Sequence, residues 1–406
     1  MTVLRRPFGR TGEWVSILGF GCMRLPVIGG RMDQIDVQAA ADMMRYAIDH
    51  GVNYFDTAYP YHAGSPEGPG ASESFLGEVL SQGGYRQRVL VATKLPGWLV
   101  NSRDDMDRIL EGQLDRLQSD YVDCYLLHGI DAAMWKKLCD LDVTGFLDAA
   151  KGDGRIRFAG FSFHDEAATF PPIVDAYDWN FCQIQYNYMD VDFQAGQEGL
   201  AYAAAKGLGV VIMEPLKGGR LARKPPAAVQ ALWDSAPVKR TPVEWALRFL
   251  WDDPRISVVL SGMSTLDQVV ENVKYAEDER AASLQPEERE LIARARELYR
   301  QRTLVDCTGC RYCMPCPQGI EIPLVFRIFN DSALYDSLDN ERFEYRLSVL
   351  LGRTAPATSC VECGQCEAAC PQKLSVIKEL ARAAEALEVE PAETGTLKQQ
   401  ASEGAE

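Results

Sequence analysis

The strongest constraint on the fold is a regular alternation of short apolar runs with amphipathic stretches between residues 16 and 276 of this 406-residue sequence. Eight runs rich in β-branched residues predict strands, at residues 17–21, 53–58, 88–94, 120–128, 157–162, 181–187, 209–214 and 257–262. Helical spacing lies between them, for example at residues 39–51 and 106–118. Strands that are apolar on both faces and alternate with helices indicate a parallel sheet covered by helices. Eight such units predict a (β/α)₈ barrel.

A doubly wound dinucleotide-binding sheet is the alternative arrangement. It requires the pattern G-x-G-x-x-G after the first strand, but "GFGCMR" places Arg24 where the third glycine would stand. The barrel is therefore favoured. The preceding segment "RRPFGRTGEW" predicts a hairpin that turns at Thr11 and Gly12 and covers the floor of the barrel.

The sequence changes character after the eighth predicted strand. Residues 286–302 predict a charged helix, and residues 324–352 predict a helical segment between two cysteine-rich runs. After about Glu390 the chain is acidic and polar, with few side chains that a core could bury. We therefore predict a barrel domain at residues 1–285, a linker helix with a small cysteine-rich domain at 286–390, and a loose acidic tail at 391–406.

The charge and hydropathy of the chain exclude several classes of partner. A formal net charge of −16 disfavours nucleic acid and anionic membranes, because their phosphates would repel an acidic surface. No apolar stretch approaches the roughly 20 residues of a membrane span, and the first residues do not resemble a signal peptide. We therefore expect a cytoplasmic protein in a reducing compartment, where paired cysteines more often bind metals than form disulfides.

Polar side chains end three consecutive predicted strands. Asp56 ends the second strand, Lys94 the third and His128 the fourth. In a barrel of this kind these strand ends lie on the face where chemistry takes place. Tyr61 follows Asp56 in the next loop, and Tyr59 is the competing phenol.

This grouping suggests proton transfer. Asp56 would keep the Lys94 ammonium charged, and the ammonium would lower the pKa of a nearby phenol, which could then give its proton to a substrate oxygen. His128 could orient the same oxygen. Each residue alone has an ordinary explanation, as a helix cap, a solvated lysine or a core histidine. Their matched positions on successive strands favour the functional interpretation.

The segments "FDTAYPY" (55–61), "VATK" (91–94) and "YLLH" (125–128) resemble the catalytic segments of the aldo-keto reductases, and the resemblance covers residues 3–273. It implies a (β/α)₈ barrel that interconverts a carbonyl compound and an alcohol with a nicotinamide cofactor laid across the barrel mouth. It also implies a catalytic tetrad in which Tyr61 is the general acid, namely Asp56, Tyr61, Lys94 and His128.

The same resemblance implies a set of cofactor-binding residues on the strand ends and following loops: Gly21, Cys22, Met23, Ser162, Gln183, Met213, Pro215, Leu216, Lys217, Gly218, Gly219, Arg220, Gly262, Ser264, Gln268, Glu271 and Asn272. Three features depart from the family pattern. Phe163 stands in place of an asparagine, and Met213 in place of a tyrosine that stacks on the nicotinamide. Gly262 and Gln268 replace the basic residues that hold the 2′-phosphate, so the choice between NADP(H) and NAD(H) stays open.

Eight of the 12 cysteines lie in two short runs. The second run, Cys360, Cys363, Cys366 and Cys370 followed by Pro371, has the spacing of bacterial [4Fe–4S] ferredoxins, in which the fourth cysteine binds the other cluster. The first run is one residue shorter before its fourth cysteine and comprises Cys307, Cys310, Cys313 and Cys316. We expect two clusters with crossed ligation, in which Cys370 joins the first run and Cys316 the second. Zinc is the alternative metal.

Three functions remain open at this point. The chain is a carbonyl reductase with accessory or structural clusters, an electron-transfer subunit whose barrel is a docking platform, or a redox sensor. Nicotinamide moves two electrons as hydride whereas a cluster moves one, so a ferredoxin, flavodoxin or flavoprotein partner is expected in the second case. The substrate is a small carbonyl or alcohol that the sequence does not identify. We expect His62, in the loop after Tyr61, to be a surface residue, and we expect four other cysteines to be core or incidental residues: Cys22, Cys124, Cys139 and Cys182.

Overall fold

A computed structural model describes residues 2–64, 68–277, 283–334 and 338–388. The chain divides into two compact units, a barrel unit of Met1–Pro225 with Gln230–Arg296 and a cysteine-rich unit of Pro226–Val229 with Glu297–Glu406. The predicted domain boundary at residue 286 stays a prediction, since the helix Pro286–Arg300 runs through the point where the two units part. The predicted acidic tail at 391–406 lies outside the described residues.

The barrel unit begins with an antiparallel hairpin of β1 (Arg5–Pro7) and β2 (Trp14–Ser16), as the turn at Thr11 and Gly12 predicts. Eight parallel strands then close into a barrel, in which the last strand pairs with the first. They are β3 (Leu18–Gly21), β4 (Tyr54–Asp56), β5 (Leu90–Leu95), β6 (Val122–Ile130), β7 (Ile156–Phe163), β8 (Phe181–Gln185), β9 (Gly209–Met213) and β10 (Ile256–Ser261). The predicted (β/α)₈ barrel is confirmed, and each predicted strand is present.

Helices connect these strands and cover the outside of the barrel. They are α1 (Val37–Asp49), α2 (Ala71–Ser81), α3 (Arg103–Leu117), α4 (Ala132–Asp140), α5 (Val143–Gly152), α6 (Phe170–Asp175), α7 (Gly196–Ala205), α8 (Ala227–Asp234), α9 (Pro242–Trp251) and α10 (Leu266–Glu277). Residues with short polar side chains cap the N-termini of several of these helices. Ser102 forms a capping box with Asp105 at the start of α3, which satisfies backbone donors that the helix leaves unpaired.

The core of the barrel unit has two parts. The larger part lies between the strands and the surrounding helices, and includes Ile17, Val91, Leu127 and Trp251. A second cluster fills the barrel interior, where Phe8 from the β1–β2 hairpin packs against Tyr54 and Phe181 with ring centroids 5.8 and 5.2 Å away. The hairpin therefore covers one end of the barrel with a buried aromatic side chain, as the sequence predicts.

The strand register brings the predicted catalytic residues to the other end of the barrel. Asp56 pairs with Gly21 of β3 and with Ala92 of β5, and Lys94 pairs with Leu126 of β6. Because all eight strands are parallel, their carboxyl ends form one rim. Side chains from β4, β5 and β6 therefore meet there.

The cysteine-rich unit is mainly helical. It contains the end of α11 (Pro286–Arg300), then α12 (Ile322–Leu334), α13 (Leu338–Leu350), the single turn α14 (Gln365–Ala368) and α15 (Val376–Leu387). The segment at 324–352 is helical as predicted, in α12 and α13, with residues 335–337 outside the described part of the chain. Apolar side chains of α12 and α15, such as Phe326 and Leu380, form a small core.

Within the described ranges, none of the helices is long and apolar enough to span a bilayer.

Candidate functional site

The ammonium of Lys94 is the centre of the barrel site. Lys94 is completely buried, and its Nζ donates to Asp56 Oδ1 at 2.7 Å, to the Thr57 carbonyl at 2.8 Å and to the Tyr61 hydroxyl at 3.2 Å. It also lies 4.7 Å from the centre of the Tyr61 ring. The structure thus brings three of the four predicted catalytic residues together through one cation.

Burial dominates the electrostatics of this pair. Desolvation raises the pKa of Asp56 above its usual range and lowers that of Lys94, while their mutual attraction acts in the opposite direction on each. Such a pair is held because each charge would be costly in the interior without its partner. The second carboxylate oxygen, Asp56 Oδ2, has no hydrogen-bond partner among the described residues.

Tyr61 departs from the sequence expectation in one respect. Burial, followed by the negative charge of Asp56, raises the pKa of Tyr61 well above its ordinary value. The net shift of the Tyr61 pKa is therefore opposite in direction to the lowered pKa that the sequence predicts. The reason is that desolvation of a phenolate is the largest contribution, and the Asp56 charge adds to it. Tyr61 is held as a protonated phenol.

His128 completes the predicted group from β6. Its ring lies edge-on to that of Tyr61, with centroids 6.2 Å apart. Burial and the nearby Lys94 charge hold its pKa well below the ordinary value, so the imidazole is neutral at physiological pH. Trp98, in the short helical turn Gly97–Leu99, lies 5.3 Å from the His128 ring and is partly exposed. Sequence reasoning missed Trp98, although its position just beyond a strand end was a usable signal.

The structure separates the two candidate phenols. The Tyr59 ring lies under the guanidinium of Arg116, 5.2 Å away, whereas the Tyr61 hydroxyl contacts Lys94. His62 also differs from expectation. It is buried, with a positive φ of 62°, and its Nδ1 lies 2.7 Å from the Met32 carbonyl oxygen. The expectation of a surface histidine is wrong, because the loop folds back onto the segment around Met32.

A buried polar network supports the strand that carries Lys94. The Gln113 amide donates to the Lys94 carbonyl at 3.0 Å and to Glu73 at 2.7 Å. Glu73, also buried, accepts from Thr93 at 2.5 Å and from Arg116 at 2.8 Å. This network was not predicted, because helices α2 and α3 contribute Glu73, Gln113 and Arg116 from distant parts of the sequence.

The residues expected to bind the nicotinamide carboxamide lie on neighbouring strands. Ser162 of β7 pairs in register with Gln183 of β8, and both are buried. The Gln183 Nε2 lies 3.5 Å from the Met213 sulfur, while its Oε1 has no hydrogen-bond partner among the residues that the structure describes. Ser162 Oγ accepts from the Gly129 N–H at 2.8 Å. A buried amide oxygen without a partner suits a ligand that donates a hydrogen bond.

The loop after β9 has an unusual backbone conformation. Lys217, Gly218 and Gly219 have positive φ values of 48°, 66° and 89°. The Lys217 ammonium is nearly buried and bonds both oxygens of Asp190, at 2.7 and 2.9 Å. Asp190 was not predicted, and it shows that the Lys217 charge is compensated within the protein. The neighbouring predicted contacts follow in the same loop and the turn after it, namely Pro215, Leu216 and Arg220.

The remaining predicted cofactor contacts follow β3 and β10. The turn Cys22–Arg24 continues from Gly21 and includes Met23, and burial raises the pKa of the Cys22 thiol, with Asp56 adding to that effect. After β10, the Ser264 N–H donates to Gln268 Oε1 at 2.8 Å. Gly262, Ser264, Gln268 and Glu271 are exposed, whereas Asn272 is buried and donates to Ser261 Oγ at 3.0 Å. Asn272 is thus the one predicted contact after β10 that the fold turns inward.

The eight run cysteines line two cavities in the cysteine-rich unit. The first cavity is lined by Cys307, Cys310, Cys313 and Cys370, together with apolar residues of α12 and the segment leading to α15. The second is lined by Cys316, Cys360, Cys363 and Cys366, and Cys313 also reaches it. Each cavity therefore takes three cysteines of one run and the fourth cysteine of the other, which is the arrangement that crossed ligation requires.

The donor set of the first cavity suits iron–sulfur chemistry. Burial, followed by the neighbouring thiols of Cys307, Cys310 and Cys370, raises the pKa of Cys313. Ionisation of several of these cysteines in one cavity would need a positively charged group beside them. In the described ranges, no three His, Cys, Asp or Glu side chains converge on a single ion position. A [4Fe–4S] cluster takes four thiolates in total.

Comparison with known protein families agrees with both units. Residues 17–288 match the sequence profile of the Aldo/keto reductase family, and residues 306–375 match that of the 4Fe-4S dicluster domain. The two profiles together cover the barrel and both cysteine runs.

Individual proteins resemble the barrel unit. The chain is 33% identical to the uncharacterized oxidoreductase YrpG of Bacillus subtilis over 53% of this chain and 67% of that protein. It is 29% identical to an L-galactose dehydrogenase of Arabidopsis thaliana over 66% of this chain and 86% of the relative. Among solved structures, the holo form of aldo-keto reductase AKR11C1 from Bacillus halodurans matches 72% of this chain and 96% of that one, with 28% identity and a TM-score of 0.57.

Proposed function

Because the chain belongs to the aldo/keto reductase family, we propose that its barrel unit interconverts an aldehyde or ketone and the corresponding alcohol with a nicotinamide cofactor. The convergence of Asp56, Tyr61 and Lys94, with His128 beside them, is the observation that carries this proposal.

The roles of these residues follow from their geometry. Tyr61 donates its proton to the substrate oxygen, because its raised pKa keeps the phenol protonated. Lys94 holds the Tyr61 hydroxyl in place and stabilises the phenolate that remains after transfer. Asp56 keeps the ammonium charged in the interior. Neutral His128 orients the carbonyl oxygen. A bound reduced nicotinamide supplies the hydride for the carbonyl carbon.

We propose that the cofactor is NADP(H) or NAD(H), extended over the barrel mouth. The partnerless Gln183 Oε1 supports a carboxamide at β7 and β8, and the left-handed turn at Gly218 and Gly219 supports a pyrophosphate near β9. The compensated Lys217 charge does not favour either nucleotide, and the exposed segment after β10 offers no basic residue at Gly262 or Gln268.

The substrate class is open within carbonyl compounds and alcohols. One relative is named for the oxidation of a sugar, so sugar lactols, aldoses and keto sugars belong in the first screen. The aromatic side chain of Trp98, beside His128 and partly exposed, is suited to pack against a ring substrate.

For the cysteine-rich unit we propose two [4Fe–4S] clusters with crossed ligation. The lining of the two cavities supports this assignment. It also favours a second candidate function, in which the clusters exchange single electrons with a ferredoxin, flavodoxin or flavoprotein partner. A flavin is the usual intermediary between a two-electron hydride and one-electron clusters.

Three measurements on anaerobically reconstituted full chain test these proposals. Iron analysis should give about eight atoms per chain, and zinc in their place would overturn the cluster assignment. Calorimetry should show binding of NADPH or NADH, and binding of neither would overturn the reductase. Consumption of reduced nicotinamide with a carbonyl substrate supports catalysis, whereas bleaching of the iron–sulfur absorbance by the nucleotide alone supports the electron-transfer candidate.

A further inference from the structure

Thr308 is a buried polar side chain in the wall of the first cavity. It follows Cys307 directly and is only 2% exposed. Its hydroxyl Oγ1 has no hydrogen-bond partner within residues 2–64, 68–277, 283–334 and 338–388. The same residue lines the cavity together with Cys307, Cys310, Cys313 and Cys370. A buried hydroxyl without a partner is costly, so its presence here indicates a partner that enters the cavity.

The second cysteine run contains an equivalent position that lacks a hydroxyl. The third residue of each run, Gly309 and Glu362, has a positive φ of 72° and 56° respectively. The fifth residue, Arg311 and Gly364, also has a positive φ, of 72° and 76°. The two runs therefore share one backbone path, and Thr308 corresponds to Val361, which lines the second cavity.

We propose that the Thr308 hydroxyl donates a hydrogen bond to a sulfur of the cluster in the first cavity and thereby raises the reduction potential of that cluster. The inference rests on the proposed pair of clusters. Hydrogen bonds to the sulfurs and solvent exposure are two of the factors that set such potentials. A donor favours the reduced cluster because that state carries one more negative charge.

The residues that line the two cavities differ in solvent exposure, and this difference bears on the reduction potentials of the two clusters. Cys370 in the first cavity is buried, whereas Cys363 in the second is exposed and Val361 is 60% exposed. Burial disfavours the more negative reduced state and so lowers the potential of the first cluster. The Thr308 hydroxyl opposes that effect and brings the two potentials closer together. The turn already places one donor on a ligand sulfur, from the Gly309 N–H to Cys307 Sγ at 3.4 Å.

A charged residue in the same wall has a partner of its own. Arg311 lines the first cavity and is bonded to Glu321, with one of its contacts at 3.0 Å. Glu321 compensates the Arg311 charge. The effect of the Thr308 hydroxyl on the reduction potential can therefore be tested by a substitution that preserves the volume of the Thr308 side chain and leaves Arg311 in place.

The experiment is a redox titration of the reconstituted full chain, followed by electron paramagnetic resonance, after iron analysis has established about eight atoms per chain. Thr308→Val removes the hydroxyl and keeps the shape of the side chain. Thr308→Ser retains the donor. Val361→Thr introduces a hydroxyl at the equivalent position of the other run.

We expect Thr308→Val to lower one of the two midpoint potentials, with about a tenfold shift in the reduction equilibrium, or about 59 mV for one electron. Thr308→Ser should titrate close to the unmodified protein, and Val361→Thr should raise the other midpoint. Unchanged midpoints in Thr308→Val with full iron would overturn the inference. Loss of iron in both Thr308→Val and Thr308→Ala would also overturn the inference. That result would show that the hydroxyl is needed to retain the cluster, whereas the inference assigns it an effect on the reduction potential alone. Fewer than about eight irons in the unmodified chain would instead refute the underlying pair of clusters.

Discussion

The barrel unit and the cysteine-rich unit build their sites in different ways. In the barrel, a large core between strands and helices holds the site, and Lys94 already contacts Asp56, Thr57 and Tyr61 within the protein. In the cysteine-rich unit, the core is small and run cysteines such as Cys313 and Cys366 pack against it. The barrel site is held together by hydrogen bonds between its own groups. The site in the cysteine-rich unit consists of thiols that need a metal group to hold them together.

This difference has an energetic origin. A small unit buries a limited fraction of its surface and often depends on metals or crosslinks for stability. Metal-binding free energy then becomes folding free energy. The barrel has enough apolar burial to carry the cost of a desolvated Lys94–Asp56 pair. The two units should therefore respond differently to substitution and to metal removal.

Substitution of the proton donor should produce the largest effect, and it should be confined to the barrel. Tyr61→Phe removes the hydroxyl that contacts Lys94, so carbonyl reduction should fall by about 10²–10⁴-fold in kcat/KM. Nucleotide binding and iron content should not change. Tyr59→Phe is the matched control and should stay active, since Tyr59 lies against Arg116. An active Tyr61→Phe with an inactive Tyr59→Phe would identify Tyr59 as the donor.

Removal of iron should mainly reduce the local stability of the cysteine-rich unit. Chelation under anaerobic conditions should raise amide hydrogen exchange in residues 307–370, because the thiols lose the group that joins the two runs. Exchange in β5 and β6 should stay slow, and the nucleotide should still bind by calorimetry. Equal protection of residues 307–370 with and without iron would show that this unit folds through its apolar core alone.

Loss of one crossing cysteine should affect only one cluster. Cys370 lines the first cavity although it belongs to the second run, so Cys370→Ala should damage the cluster bound by Cys307, Cys310 and Cys313. Cys316→Ala is the reciprocal control and should damage the other cluster. Iron analysis with electron paramagnetic resonance distinguishes the two spectra. If Cys370→Ala instead removes the cluster bound by Cys360, ligation is not crossed.

The smallest effect should be that of pH on carbonyl reduction. In the proposed reaction Tyr61 acts as an acid, and its pKa is raised, so the protonated form persists through neutral and mildly basic pH. His128 has a lowered pKa and stays neutral over the same range. The kcat/KM for reduction should therefore be flat there and fall only at strongly basic pH. A break near the ordinary pKa of histidine that disappears in His128→Gln would contradict the neutral imidazole.

Local sequence patterns were enough to predict the architecture of the barrel. The period of apolar residues reports which faces a strand or helix buries, and eight alternations leave few other arrangements. The positions of Asp56, Lys94 and His128 at successive strand ends were equally predictable, because parallel strands bring their carboxyl ends to one rim. The spacing of the cysteines likewise indicated iron–sulfur ligands, and the dicluster profile agrees.

Features that depend on packing between distant segments could not be predicted. The Glu73–Gln113 network joins α2 and α3 behind β5, and the Asp190–Lys217 pair joins the loops after β8 and β9. The burial of His62 arises in the same way. No periodicity in the sequence encodes which polar side chains from separate loops will share one buried space.

The sequence by itself determined which helices and strands form, which residue types lie at the barrel rim, and where the two cysteine runs lie. All three follow from spacing along the chain. Only the tertiary structure decided the protonation of Tyr61, since that depends on how completely its surroundings exclude water and on the pairing of Lys94 with Asp56. It likewise decided that Thr308 is buried in one cavity wall whereas Val361 is exposed at the other. Burial and charge pairing are sums over neighbours in space, and those neighbours are distant in sequence.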